Sequence, residues 1–396
     1  GALCASDDKQ SQEEQNDTEL LDTSTEALYD SLKADSERYW FFRTLYPMVF
    51  SDDSSDQERQ AQESDFESWQ GKYIRSIEIN VRSAFNYEPE ASPKSFHNLV
   101  AYAGNRLHLN TRQWVVRENL FFDVGDRLNS ETMVYNLRYL RKLVYLNQCN
   151  ISVQSPSHAP DSVDIFIDIK DNFSIKLGGA YTSKTKMRLD IEDQNFLGLG
   201  RLLRTEWHLD TEARGSLGYK LYYKIPNLRR TFIDTELAMA ELPDYSLKSM
   251  VINRQFLYPI TKSAGGADIL KTRFIADYDS MRVAQIKLGG WYGHAFPAGV
   301  DPANPYVYAA LSLDQTWYSQ RPDQYGTIQK YWHETLLAIS AIGITQSANR
   351  YLPYVYTLLE DDAIPVGYLG EFLVGAESGE FRNRGFIGLR GSWGSI

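Results

Sequence analysis

Long apolar runs are missing from this chain of 396 residues: no stretch approaches the eighteen or so uninterrupted apolar residues of a membrane-spanning helix. Membrane strands stay open, because alternating strands are invisible to a hydropathy window. Cysteine is nearly absent too. Cys4 and Cys149 lie far apart, which gives no metal-ligand spacing and little case for a disulfide. Cys149 reads as a small buried apolar residue. Positive charge is also short: 41 Lys and Arg face 52 Asp and Glu, the net charge is −11, and no basic stretch offsets it. That balance argues against a nucleic-acid partner.

Catalytic constellations are missing as well. The six histidines (His97, His108, His158, His208, His294 and His333) show no ligand spacing to one another or to cysteine. His208 and His294 read as strand residues and His333 as lying just before a strand, so wall or surface roles suit them better than base catalysis. There is no Gly-x-Ser-x-Gly elbow. Gly198-Leu199-Gly200 is not followed by a helix pattern or by Lys-Ser/Thr, so it makes no phosphate loop. Asp190, Glu192 and Asp193 could imitate a calcium cluster, but a charged wall is the simpler reading. Neither an enzymatic activity nor a cofactor is expected.

What the chain does have is tyrosine, 26 residues beside 8 Trp and 18 Phe. Such rings suit the interfacial girdles of a membrane barrel, although sugar-binding sandwiches are also tyrosine-rich. Gly1-Ala2-Leu3-Cys4-Ala5-Ser6 has the look of the tail of a removed secretory signal. Leu3 is bulkier than the residue that usually precedes a lipidated cysteine. Residues 1–25 are expected to be a disordered acidic N-terminus, and 51–68 an acidic linker. Between them, residues 26–50 carry Leu28, Leu32, Tyr39, Phe42 and Tyr46 near helical spacing before Pro47, which reads as a packing helix.

Residues 69–170 read as β-α-α-β-β. Tyr73 to Arg82 is a strand, and a polar insertion with Pro89 and Pro93 follows it. Thr111 is placed as the cap of the first helix and Ser130 as the cap of the second, whose stripe is Met133, Leu137, Leu140 and Val144. Gly125 supplies the positive φ of the turn between them. Ile151 to Val153 and Val163 to Ile169 close the unit.

From residue 171 to 396 the pattern changes. In Met187 to Asp193 charges alternate with apolar residues: Arg188, Asp190 and Glu192 share one face, Met187, Leu189 and Ile191 the other. Gly218, Lys220, Tyr222 and Lys224 likewise oppose Tyr219, Leu221, Tyr223 and Ile225. About twelve such segments follow one another, too many two-faced strands for one soluble core. An antiparallel transmembrane β-barrel, with lipid outside and water inside, accommodates them. A large soluble sandwich is the competing architecture.

The unit with Phe122-Asp123-Val124-Gly125-Asp126 before its second helix, closed by Leu140-Arg141-Lys142-Leu143-Val144-Tyr145, resembles a POTRA domain. Such domains are the periplasmic modules of the BamA/TamA-like outer-membrane assembly family. Asp193 to Gly200, with Asn195, Phe196, Gly198 and Gly200, resembles that family's Asn-aromatic-Leu-Gly-x-Gly turn between early barrel strands. Tyr29-Asp30-Ser31-Leu32-Lys33 with Gly71-Lys72-Tyr73-Ile74 is similar to a single-POTRA, Bacteroidetes-type branch. The order of these motifs carries more weight than any one of them.

The chain departs from the family in strand number, about twelve where the resemblance implies sixteen. It also ends without a terminal aromatic strand signal, which reads as truncation. Arg384-Gly385-Phe386 matches part of the family's inward-loop motif, but it lies within an apparent strand and follows Asn383.

The resemblance implies an outer-membrane protein that inserts or translocates unfolded or secreted client proteins. Its partners would be outer-membrane lipid, clients and periplasmic or lipoprotein accessory subunits. Val163, Ile165, Ile167 and Ile169 would form the edge to which a client strand adds. Ile175, Leu177, Gly178 and Gly179 would lie at a weak barrel seam. Asn195, Phe196, Gly198 and Gly200 would make a rim turn, with the glycines serving chain reversal. A passive porin or substrate-specific channel with a periplasmic adaptor is the alternative.

Overall fold

The computed structural model describes residues 65–84, 108–211, 217–254, 262–276, 281–297, 306–321, 332–353 and 361–394. The expected N-terminal segment, the helix at 26–50, most of the linker and the insertion after the first strand lie outside them.

The first body is α+β. Its elements are β1 (Tyr73–Arg82), α1 (Gln113–Glu118), α2 (Ser130–Arg141), β2 (Leu146–Gln154) and β3 (Ser162–Asp171). This is the β-α-α-β-β order read from the sequence. The sheet order is β1-β3-β2, with β1 parallel and β2 antiparallel to β3. Strand β3 is central, and its alternating Val163, Ile165, Ile167 and Ile169 fill the core and are wholly buried. Met133, Val134, Leu137 and Leu140 of α2 pack against them.

The caps differ from expectation by one residue. Asn129, and not Ser130, caps α2 by accepting from Thr132 N at 2.8 Å. Helix α1 has no side-chain cap of its own at Arg112. Helix α2 stops at Arg141, so Val144 leaves the apolar stripe and is exposed. Gly125 has the positive φ assigned to it, +94°. Cys149 is buried in the core, and desolvation pushes its thiol up to about 12.

The second body is one twelve-stranded antiparallel meander. Its first half is β4 (Ile175–Ser183), β5 (Lys186–Asp193), β6 (Leu202–Asp210), β7 (Leu217–Ile225), β8 (Ile233–Leu242) and β9 (Tyr245–Arg254). The second half is β10 (Ser263–Ala276), β11 (Met281–Pro297), β12 (Tyr306–Gln320), β13 (Thr335–Pro353), β14 (Asp361–Gly379) and β15 (Asn383–Gly394). Each strand pairs with its sequence neighbours, and β4 and β15 are the two edges of an open sheet.

The register separates the two faces. On one face cations of β4–β8 meet carboxylates across strands: Lys176 and Arg204 on Glu192, Lys220 on Glu206 at 2.7 Å, and Lys224 on Glu236 at 3.0 Å. On the other face Leu177, Leu189, Trp207, Met239, Met250, Ile269 and Leu288 are exposed, and the same apolar face runs on to Leu389 in β15. In water, so wide an exposed apolar surface would be an aggregation liability.

Candidate functional site: two asparagine turns around helix α1

The turn Asn195 to Gly200 joins β5 to β6. Its Asn195 is buried, and its side-chain oxygen accepts from Gly200 N at 2.7 Å, closing the turn on itself. The amide group of Asn195 points the other way, donating to Thr111 Oγ1 at 2.9 Å, just ahead of α1. Arg112 N donates to Gly198 O at 3.0 Å. The glycines therefore do more than reverse the chain. A Cβ on Gly198 would sit 2.3 Å from Asn110 O, and one on Gly200 2.9 Å from the Tyr145 ring. Both have positive φ, +69° and +62°. Only glycine lets this turn close on the α+β body. Phe196 lies edge-on to Tyr223, ring centroids 6.5 Å apart.

Sequence reasoning missed a second copy. The turn from β7 to β8 repeats the first at a constant offset, with Asn227 in place of Asn195. Asn227 Oδ1 accepts from Phe232 N at 2.8 Å. Its amide group donates to Glu118 O at 2.7 Å and to Asn119 Oδ1 at 2.9 Å, at the C-terminal end of α1. A carbonyl in the last turn of a helix lacks an intrahelical partner, and Asn227 supplies one. The two turns thus hold the two ends of the same short helix.

Backbone strain follows the same repeat. Among the described residues, every non-glycine residue with positive φ lies in these two turns: Leu197, Asn227, Arg229, Arg230 and Phe232. Such conformations persist only where surrounding contacts over-determine them. Leu197 corresponds to Arg229, Gly198 to Arg230 and Gly200 to Phe232. The second turn replaces glycine with contact: Arg230 donates to Asp123 at 2.6 Å and to Phe122 O at 3.0 Å, and Phe232 packs edge-on to Phe121 and Tyr139. Hydrogen bonding from Arg230 holds the Asp123 carboxyl below the usual carboxylate range. The missing glycines hid this turn. The usable signal was an asparagine at the matching hairpin position.

A third contact lies where the chain crosses between the bodies. Asp171 Oδ2, at the end of β3, accepts from Thr111 N at 2.6 Å and meets His108 Nε2 at 3.1 Å. Ser174 Oγ donates to Asp193 Oδ1 at 2.6 Å, so its single proton is committed there. His108 Nδ1 lies 3.1 Å from the same Oγ. His108, Asp171 and Ser174 are all buried, and they tether β3 to β4 and β5.

The expected client edge is corrected. Val163, Ile165, Ile167 and Ile169 belong to the central strand, paired with β1 on one side and β2 on the other, so no free edge is left there. The free side of β1 is covered as well: Leu128 N and Gly125 N donate to Lys72 O and Ile74 O, Arg117 to Ile77 O and Gln113 to Ile79 O. Among the described residues that leaves β2 as the more open margin, with Arg141 Nε donating to Cys149 O at 3.2 Å. Ile175, Leu177, Gly178 and Gly179 lie on β4, which among the described residues is an edge strand paired only with β5. Arg384, Gly385 and Phe386 lie within β15, where Arg384 pairs with Glu377 and Phe386 covers Gly375.

No protein-family model matches the chain, and no curated protein matches it in sequence. Among solved structures it is similar to BamA from Haemophilus ducreyi lacking POTRA domains 1–3, with a TM-score of 0.34, 11% identity, and coverage of 82% of this chain and 79% of that one. It is also similar to CdiB from Acinetobacter baumannii, with a TM-score of 0.36, 10% identity, and coverage of 92% and 88%. CdiB from Escherichia coli gives a TM-score of 0.37, 10% identity, and coverage of 82% and 70%. At these scores the likeness carries no argument, and the functional reading rests on the strand register and the turns.

Proposed function

We propose that the chain is an outer-membrane β-barrel protein that inserts or translocates client proteins, with its α+β body a POTRA-like module on the periplasmic side. One observation supports the membrane reading above all: a single meander that exposes apolar side chains along one face and pairs its charges on the other. Lipid satisfies the first face and a wet lumen the second. The turns β5–β6 and β7–β8 then mark the periplasmic rim. Clients would add as an extended strand along β2, an outer strand of the three-stranded sheet.

A photo-crosslinker at the exposed Gln148 of β2 tests the client step in a Gram-negative host. Adducts with unfolded outer-membrane or secreted chains are expected. Adducts at Gln148 no more frequent than at exposed Val124 would sink it. Steady conductance of the purified protein, with no assembly defect on depletion, would favour the passive channel instead.

A further inference from the structure

The cations of β4–β8 lie on the polar face and are each paired with a carboxylate. Four cations near the opposite rim break this pattern. Lys248, Lys271, Arg273 and Arg282 are exposed and belong, by register, to the apolar face. Lys271 shares its row with Met239 and Ile286, and Ile269 and Leu288 lie one step further into the apolar surface. All four lie within a few residues of the β8–β9 and β10–β11 turns, at the end of the meander away from the α+β body.

Their spacing sets like charge beside like charge. Lys271 stands directly opposite Lys248 across the β9–β10 ladder. Like charges in that relation destabilise a sheet. Arg273 and Arg282 are diagonal neighbours, since Arg273 pairs with Ala284 and Arg282 with Ile275. Of the four cations Glu241 reaches Lys248 alone, at 3.9 Å with both side chains exposed, and it also accepts from Ser246 Oγ at 3.1 Å. Among the described residues, no carboxylate pairs with Lys271, Arg273 or Arg282.

We infer that this patch docks the phosphate groups of lipid headgroups in the leaflet opposite the α+β body. The inference rests on the membrane reading above. A lipid puts its acyl chains beside Ile269 and Leu288 and its phosphates at the level of the cations, so one molecule matches both surfaces. Arginine forks bind phosphate through paired N–H groups, and lysine adds a point charge.

The test is native mass spectrometry of the full chain in detergent with diphosphorylated lipid A, the dephosphorylated lipid and inorganic phosphate. Expected is retention of the diphosphorylated lipid alone. Retention should fall about fivefold for each charge removed in K271Q, R273Q and R282Q, and persist in the charge-keeping variant K271R/R273K/R282K. Equal retention of both lipids, or no loss in a K271Q/R273Q/R282Q protein that keeps wild-type strand content, overturns the inference. Binding of inorganic phosphate alone overturns it too. If the chain instead stays dispersed without detergent, the membrane reading itself has failed.

Discussion

Arg230, in the β7–β8 turn, binds Asp123 from the position that Gly198 fills in the β5–β6 turn. The same backbone conformation is used twice, once by a residue that must be small and once by a residue that must reach.

That contact gives the joint between the bodies a pH dependence of known sign. Asp123 is held below its ordinary value in the folded chain. Its contribution is therefore present above the ordinary carboxylate value of about 3.9 and is lost as pH falls through the lower folded value. Protease susceptibility of residues 121–127 should rise on acidification in the wild type. In Asp123→Asn the loss should already be present at neutral pH and change little below it.

Asn195→Ala and Asn227→Ala each strand a backbone N–H, that of Gly200 or of Phe232. A buried donor left unpaired costs about 1–3 kcal/mol. Each variant should lower the stability of the docked state by that order, read from hydrogen exchange at α1. The double variant should cost more than either single change.

Gly198→Ala places a methyl group against Asn110 O at positive φ. Strain of this kind costs on the order of 1–3 kcal/mol. The expected outcome is loosening of residues 108–112, with β5–β6 pairing retained. Undisturbed exchange at Arg112 would contradict the assigned close approach.

Ile167→Ala empties a wholly buried site in β3 and should destabilise the α+β body by about 2–5 kcal/mol in denaturant unfolding. Gln148→Ala, on the exposed side of β2, should stay within about 0.5 kcal/mol. The contrast separates the central strand from the open margin.

The strands of the two bodies were legible in the sequence because both alternate with a period of two. Val163 to Ile169 alternates with a single buried face, and Met187 to Asp193 alternates with a charged one, so type and extent follow from period alone. The twelve strands of the meander came from the same alternation. The edge assignment did not. Nothing in Val163-Asp164-Ile165-Phe166-Ile167 says whether a strand is flanked on one side or both, since hydrogen-bonding neighbours leave no mark on side-chain polarity.

The first turn was readable through its glycines, but its purpose was not, because Asn110 and Tyr145 are distant in sequence. The second turn offered only Asn227 as a signal: Arg230 and Phe232 adopt positive φ where Asp123, Phe121 and Tyr139 hold them. The pairing of His108 with Asp171 is of the same kind, a contact between segments that no local spacing encodes.

Helix α1 spans six residues, far fewer than a helix needs to persist alone in water. Its start is held through Thr111 by one hairpin and its last carbonyl by another. Val115 and Val116 seat residues 113–118 in the α+β core, so the later sheet adds the contacts that close both ends of a helix too short to hold itself.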